Sequence, residues 1–157
     1  MKIALFLLLL TLTAAARTPA EIVQDVFEYD FQHGMTQTLQ DRAHCFTPGF
    51  LQLFRKALAL PTGGPAFVDM DYFRNGQDSG QVLKTTDTEV HGKEAIVSLK
   101  IWQGAYRGAP AGPQPKAPTT RVFLTDLGQG YQIWDIRHSK LSARQDFQTL
   151  LKGKWPK

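Results

Sequence analysis

Cysteine is the scarcest chemical resource in this sequence. A single one, Cys45, leaves no disulfide framework within the chain and no cysteine-cluster zinc site. The four histidines, His33, His44, His91 and His138, show no metal-ligand spacing, with no H-E-x-x-H and no pair four apart on one helix. A nucleophile elbow G-x-S-x-G is missing, as is a glycine loop of the phosphate-cradling kind. Charge is modest, at a formal +4, and no nucleic-acid-binding motif accompanies it. Apolar residues at 43% and charged residues at 20% exclude both a disordered chain and a polytopic membrane protein.

The one long apolar run is at the start. Met1-Lys2-Ile3 is a short basic opening, Ala4 to Leu12 is apolar, and Thr13-Ala14-Ala15-Ala16 closes the run with small residues. That three-part pattern predicts a secretory signal peptide over residues 1–16, cut before Arg17. A membrane span needs about 20 apolar residues, more than this run supplies. A lipoprotein would carry a cysteine just after the run, and Cys45 lies far downstream. The expected address is therefore periplasmic or secreted, with no integral span after cleavage. Residues 17–157 are expected to form one domain, large enough to bury a core without covalent staples. Cys45, beside Phe46 among apolar neighbours, reads as a buried small apolar residue; a reactive or intermolecular thiol is the sharper alternative.

Helix signals come first. Thr18-Pro19-Ala20-Glu21 combines a cap, a first-turn proline and a capping box. Ile22, Val23, Val26 and Phe27 then recur on one face, and Gly34 is a stop. A second helical stretch covers about 36–44. Thr47-Pro48 repeats the cap-and-proline signal before the stripe Phe50, Leu51, Phe54, Ala57 and Leu58, which Pro61-Thr62-Gly63-Gly64-Pro65 ends.

Residues 66–80 are irregular and acidic, and strands follow. Residues 82–90 pair with 94–103 across His91-Gly92-Lys93. In the second of these, Ala95, Val97, Leu99 and Ile101 alternate with Glu94, Ser98 and Lys100, while Ile96 breaks the polar face. A loop at 108–118 holds four of the nine prolines. Residues 120–127 and 131–138 form a further pair around Gly128-Gln129-Gly130. Ser142-Ala143-Arg144-Gln145 opens a short last helix through Phe147, Leu150 and Leu151, with Gly153 as its stop. Helices segregated before an antiparallel sheet predict an α+β fold: a curved sheet of about four strands, N-terminal helices on its concave face and a short C-terminal helix.

Chemistry-bearing residues are few. Asp69, Asp71, Asn75, Gly76 and Asp78 form an oxygen-rich segment, but Phe73 and Arg74 fall where an EF-hand needs a ligand and its glycine, so no metal is expected. Short carboxylates bonding loop backbone, with Phe73 as an anchor, are the simpler reading. Trp102, Tyr106, Tyr131 and Trp134 sit on or near strands, as core residues or as the lining of a cavity. Strict alternation puts Asp135 and Arg137 on the face of Ile133, and Trp134, Ile136 and His138 on the other. Basic residues gather near the C-terminus (Arg137, Lys140, Arg144, Lys152, Lys154, Lys157), while Glu21 to Asp30 is acidic. The asymmetry could steer an acidic partner or an anionic membrane surface; a solvated basic tail accounts for it more simply.

Gly130-Tyr131-Gln132-Ile133-Trp134-Asp135-Ile136 resembles the last-strand signature of the nuclear-transport-factor-like superfamily, the cystatin-like cone fold. Asp71-Tyr72-Phe73 followed by Gln77-Asp78 resembles the Asp-x-Phe…Gln-Asp motif of a bacterial exported domain-of-unknown-function family within it. Tyr72 departs from that family's usual proline, and the proline-rich loop looks longer than usual. The resemblance covers roughly residues 18–153 and implies a cone-shaped pocket between helices and sheet. It carries over no catalytic residues, and fold does not fix function. The expectation is a non-catalytic exported binding module with Asp71, Phe73, Gln77, Asp78 and Trp134 at the ligand site and no cofactor. An immunity or inhibitor protein, with the proline-rich loop as its contact, is one alternative. An enzyme using Asp71, Asp78 or Asp135 as a pocket base, or His138, is the other. The partner would be a small molecule or a protein, not a nucleic acid, and superfamily analogy allows a homodimer.

Overall fold

The computed structural model describes residues 16–60, 72–74, 81–105, 110–138 and 141–152. Three helices lead: α1 (Pro19–His33), α2 (Met35–Asp41) and α3 (Pro48–Leu58), with a short 3-10 turn at Ala43–Cys45. Strands β1 (Gln81–His91), β2 (Glu94–Gln103), β3 (Thr120–Asp126), β4 (Tyr131–His138) and the two-residue β5 (Leu141–Ser142) follow, and α4 (Ala143–Leu150) ends the order. The strands form one antiparallel sheet in sequence order, β1-β2-β3-β4-β5. The fold is the expected α+β arrangement of helices on an open, curved sheet.

Local chemistry explains most boundaries. At α1 the capping box forms in both directions: Glu21 N donates to Thr18 Oγ1 at 3.3 Å, and Thr18 N donates to Glu21 Oε2 at 2.7 Å. Gly34 stops the helix at φ +82, a region disfavoured for side chains with a Cβ. The stretch expected as a helix over about 36–44 is divided between α2 and the 3-10 turn. Thr47 begins α3 without a side-chain cap; its N–H instead donates to Ile133 O at 2.9 Å, and Phe46 bridges Ile133 in parallel. The helix start is thus tied to β4 by backbone. Asp126 Oδ1 holds the β3–β4 turn by accepting from Gly128 N and Gly130 N. Ser142 Oγ caps α4 by accepting from Gln145 N at 3.2 Å. Gly153 lies outside the described residues.

Two bulges bend the sheet, at Thr85/Asp87 against β2 and at Phe123/Leu124 against β4. Its helix-covered face presents Ala95, Val97, Leu99, Ile101, Val122, Leu124, Ile133 and Ile136, all buried. Helix α1 lies over β1, β2 and β4, while α3 and α4 pack on each other and on β4. Between helices and sheet the space is filled by rings: Phe27, Phe46, Phe50, Phe54, Phe73 and Phe147 are all below 2% exposed. Phe54 and Phe147 stand 4.4 Å apart, and Phe27 and Phe73 meet edge-on at 5.3 Å. No helix among the described residues is long and apolar enough to cross a membrane.

Candidate functional site

Of the motif residues expected at a pocket, Asp71, Gln77 and Asp78 lie outside the described residues. The tripeptide between them, Tyr72-Phe73-Arg74, is a core plug in which each residue grips a different part of the molecule. Tyr72 donates its hydroxyl to Asp146 Oδ2 of α4 at 2.8 Å. Phe73 is fully buried against Phe27, Phe46 and Phe54. Arg74 bridges Asp30 of α1, with Nε 3.1 Å from Oδ2 and Nη2 donating to its carbonyl at 2.6 Å. Asp30 is itself fully buried and also accepts from Thr38 Oγ1.

The described ionisable groups of the interior are committed to the frame. His138 is buried, with Nε2 bonded to the Tyr72 carbonyl and Nδ1 to Thr120 Oγ1 at 2.8 Å. A carbonyl only accepts, so Nε2 carries the proton and Nδ1 accepts from the threonine. Burial holds the imidazole below its ordinary pKa, against the raising effect of the carbonyl. Burial also lifts the Tyr72 phenol, helped by its bond to Asp146. Asp146 is raised by burial first, its bond from Tyr72 working the other way. Asp135 accepts from Ser142 Oγ at 3.0 and 2.9 Å, from the N–H of Ile136 and Arg144, and from Arg137 Nε at 2.8 Å. A carboxylate so fully bonded is poorly placed to remove a substrate proton.

The open face of the sheet is different. The bulge opposite Phe123/Leu124 lets Trp134 and Asp135 together answer one step of β3, so strict alternation fails at this point. Trp134 consequently shares the face of Phe123, Asp135 and Arg137, while Ile133, Ile136 and His138 turn inward. This corrects the face assignment expected from alternation alone. The Trp134 ring lies 5.7 Å from Phe123, and its Nε1 donates to Glu94 Oε2 at 3.2 Å. Arg137 stacks over Phe123 at 4.2 Å, and Arg144 stands 5.9 Å from the Trp134 ring.

Trp134 lines a groove of about 620 Å³ with Thr47, Pro48, Gly49, Leu127 and Arg144 among its walls. Leu127 is 59% exposed there. At the other end of β3 and β4, Pro118, Thr119, Thr120, Arg121 and Arg137 line a cleft of about 220 Å³. A third depression, about 520 Å³, lies between the start of α1, His44 and the β3–β4 turn. Cys45 at its floor is 3% exposed, and burial pushes its thiol pKa up, the opposite of an activated nucleophile. No group of three metal-ligating side chains occurs among the described residues.

No protein-family model and no curated protein matches the sequence. Among solved structures, the chain is similar to a phospholipid-binding protein from Ralstonia solanacearum, determined in complex with a phospholipid. The TM-score is 0.42 and the identity 12%, over 85% of this chain and 83% of that one.

Proposed function

We propose that the chain is an exported, non-catalytic binding module of the nuclear-transport-factor-like superfamily that takes its ligand in the Trp134 groove on the open sheet face. The observation carrying this reading is the contrast in filling. Phenylalanines occupy the space between helices and sheet, while the open face keeps Trp134 and Leu127 unburied at a groove of about 620 Å³, with Phe123 beside Trp134. Of the candidate bases, Asp135 and His138 have polar atoms spent on structural partners, while Asp71 and Asp78 lie outside the described residues. Of the five residues expected at the ligand site, Trp134 keeps that role; Phe73 serves the plug.

The test is a titration of the purified protein with N-phenyl-1-naphthylamine, a neutral apolar fluorophore. Saturable binding at one site, weakened at least tenfold by Trp134→Ala while the variant still unfolds cooperatively, is expected. Binding that is absent, or equal in the variant, would refute the groove.

A further inference from the structure

We propose that the cleft between Arg121 and Arg137 is an anion site, and that the ligand of this face is a small amphiphile: a phosphate-type oxyanion joined to an apolar body. The inference deepens the groove reading and rests on it.

Arg121 and Arg137 are direct cross-strand partners, and so are Lys84 and Lys100 on the same face. Like charges directly opposite one another destabilise a sheet. Ser98 pairs with Arg121, which makes Lys100 a diagonal neighbour of that arginine. Four cations therefore gather at one end of the open face. The acidic groups near them are Asp87, opposite Ser98 on the edge strand, and Asp135. Asp135 matches the charge of Arg137 and Asp87 offsets one further cation, so Arg121 and the two lysines still leave a positive surplus. Arg121 is exposed and has no carboxylate partner among the described residues.

The cleft is also built for orientation. Arg137 is fixed by its Nε bond to Asp135 and by the Phe123 ring beneath it, which leaves its Nη donors for a second acceptor. Thr119 Oγ1 accepts from Ile101 N, and its own hydroxyl proton has no acceptor among the described residues. Two guanidinium groups and a hydroxyl around about 220 Å³ suit a tetrahedral oxyanion. Phe123 joins this cleft to the groove, carrying Arg137 on its face and lying beside Trp134. A ligand seated in both would present its charge to the arginines and its apolar part to Trp134 and Leu127.

The experiment compares octyl phosphate with octyl glucoside, both below their micelle concentrations, by calorimetry on the purified protein. Octyl phosphate should bind one per chain at least tenfold more tightly. Arg121→Ser should abolish that advantage without changing octyl glucoside binding, and Arg121→Lys should keep part of it. Inorganic phosphate should compete with octyl phosphate alone, and Trp134→Ala should weaken both surfactants. Equal affinity for the two heads, with dependence on Trp134 retained, would sink the anion site and leave the groove standing. Binding of neither, or binding indifferent to Trp134→Ala, would remove the groove as well. Capture on phosphatidylglycerol vesicles without any octyl phosphate binding would point to a membrane surface and overturn the small-molecule proposal.

Discussion

The two faces of the sheet use aromatic residues in opposite ways. Under the helices, six phenylalanines and Tyr72 meet one another, and the buried carboxylates Asp30 and Asp146 have partners in Arg74 and Tyr72. On the open face, Phe123 and Trp134 meet each other and also arginines, and cations stand opposite cations. The covered face is solved for stability. The open face holds an electrostatic cost that packing does not repay, and the proposed anion site would account for it.

The sharpest way to break the comparison is to remove one ring from each side. Phe73→Ala should cost about 3–5 kcal/mol, the range for deleting a buried phenylalanine ring. Phe123→Ala, on a half-open surface, should cost about 1 kcal/mol, the centre of the range for point mutants. Denaturant unfolding of the two variants measures both. Similar losses would mean that the open face is as much core as the closed one. Arg74→Met comes next. It removes the salt bridge to the fully buried Asp30 carboxylate, and breaking one partner of a buried pair costs about 3–5 kcal/mol before relaxation. Thermal unfolding of this variant should show loss on the scale of Phe73→Ala.

Much of the covered face was legible in the sequence. The Thr18–Glu21 box, the Thr47-Pro48 start, the His91-Gly92-Lys93 turn and the alternation Ala95-Val97-Leu99-Ile101 are local signals, and local physics decides them. What the sequence hid was long-range. The cap expected from Thr47 is replaced by a backbone tie to Ile133, a contact across 86 residues that no periodicity encodes. The face of Trp134 depends on a bulge, and one extra residue reverses the parity of everything before it. The role of Tyr72 needs Asp146 and His138, both distant in sequence. Arg121 and Arg137 were readable as strand residues, but their pairing requires the register of β3 on β4.

The covered face also predicts a pH response. His138 has its folded pKa depressed by burial, so the folded state resists the proton that the unfolded state accepts below about pH 6.5. Its contribution is present above that pH and is lost as pH falls. The slope should approach one proton, about 1.4 kcal/mol per pH unit, down to the folded pKa. Asp146, whose folded pKa is raised, acts in the opposite sense: its contribution is present in acid and lost as pH rises through its folded value. Stability measured between pH 7 and 5 should therefore fall for the wild type. His138→Gln should flatten that part of the curve, even if it lowers stability throughout. An unchanged slope would mean that His138 titrates normally and that the Tyr72 carbonyl does not hold it neutral.

The smallest effect bears most directly on the open face. Arg121 faces Arg137 across β3 and β4, and like charges directly opposite one another destabilise a sheet. Arg121→Ser should thus raise thermal stability slightly in low salt, with the gain shrinking as salt screens the pair. Most surface substitutions are neutral or mildly destabilising, so a stabilising one is informative. If the same substitution weakens octyl phosphate binding, stability and binding oppose each other at one residue. If Arg121→Ser destabilises the protein, Arg121 is serving the frame, and the two faces differ less than their contacts suggest.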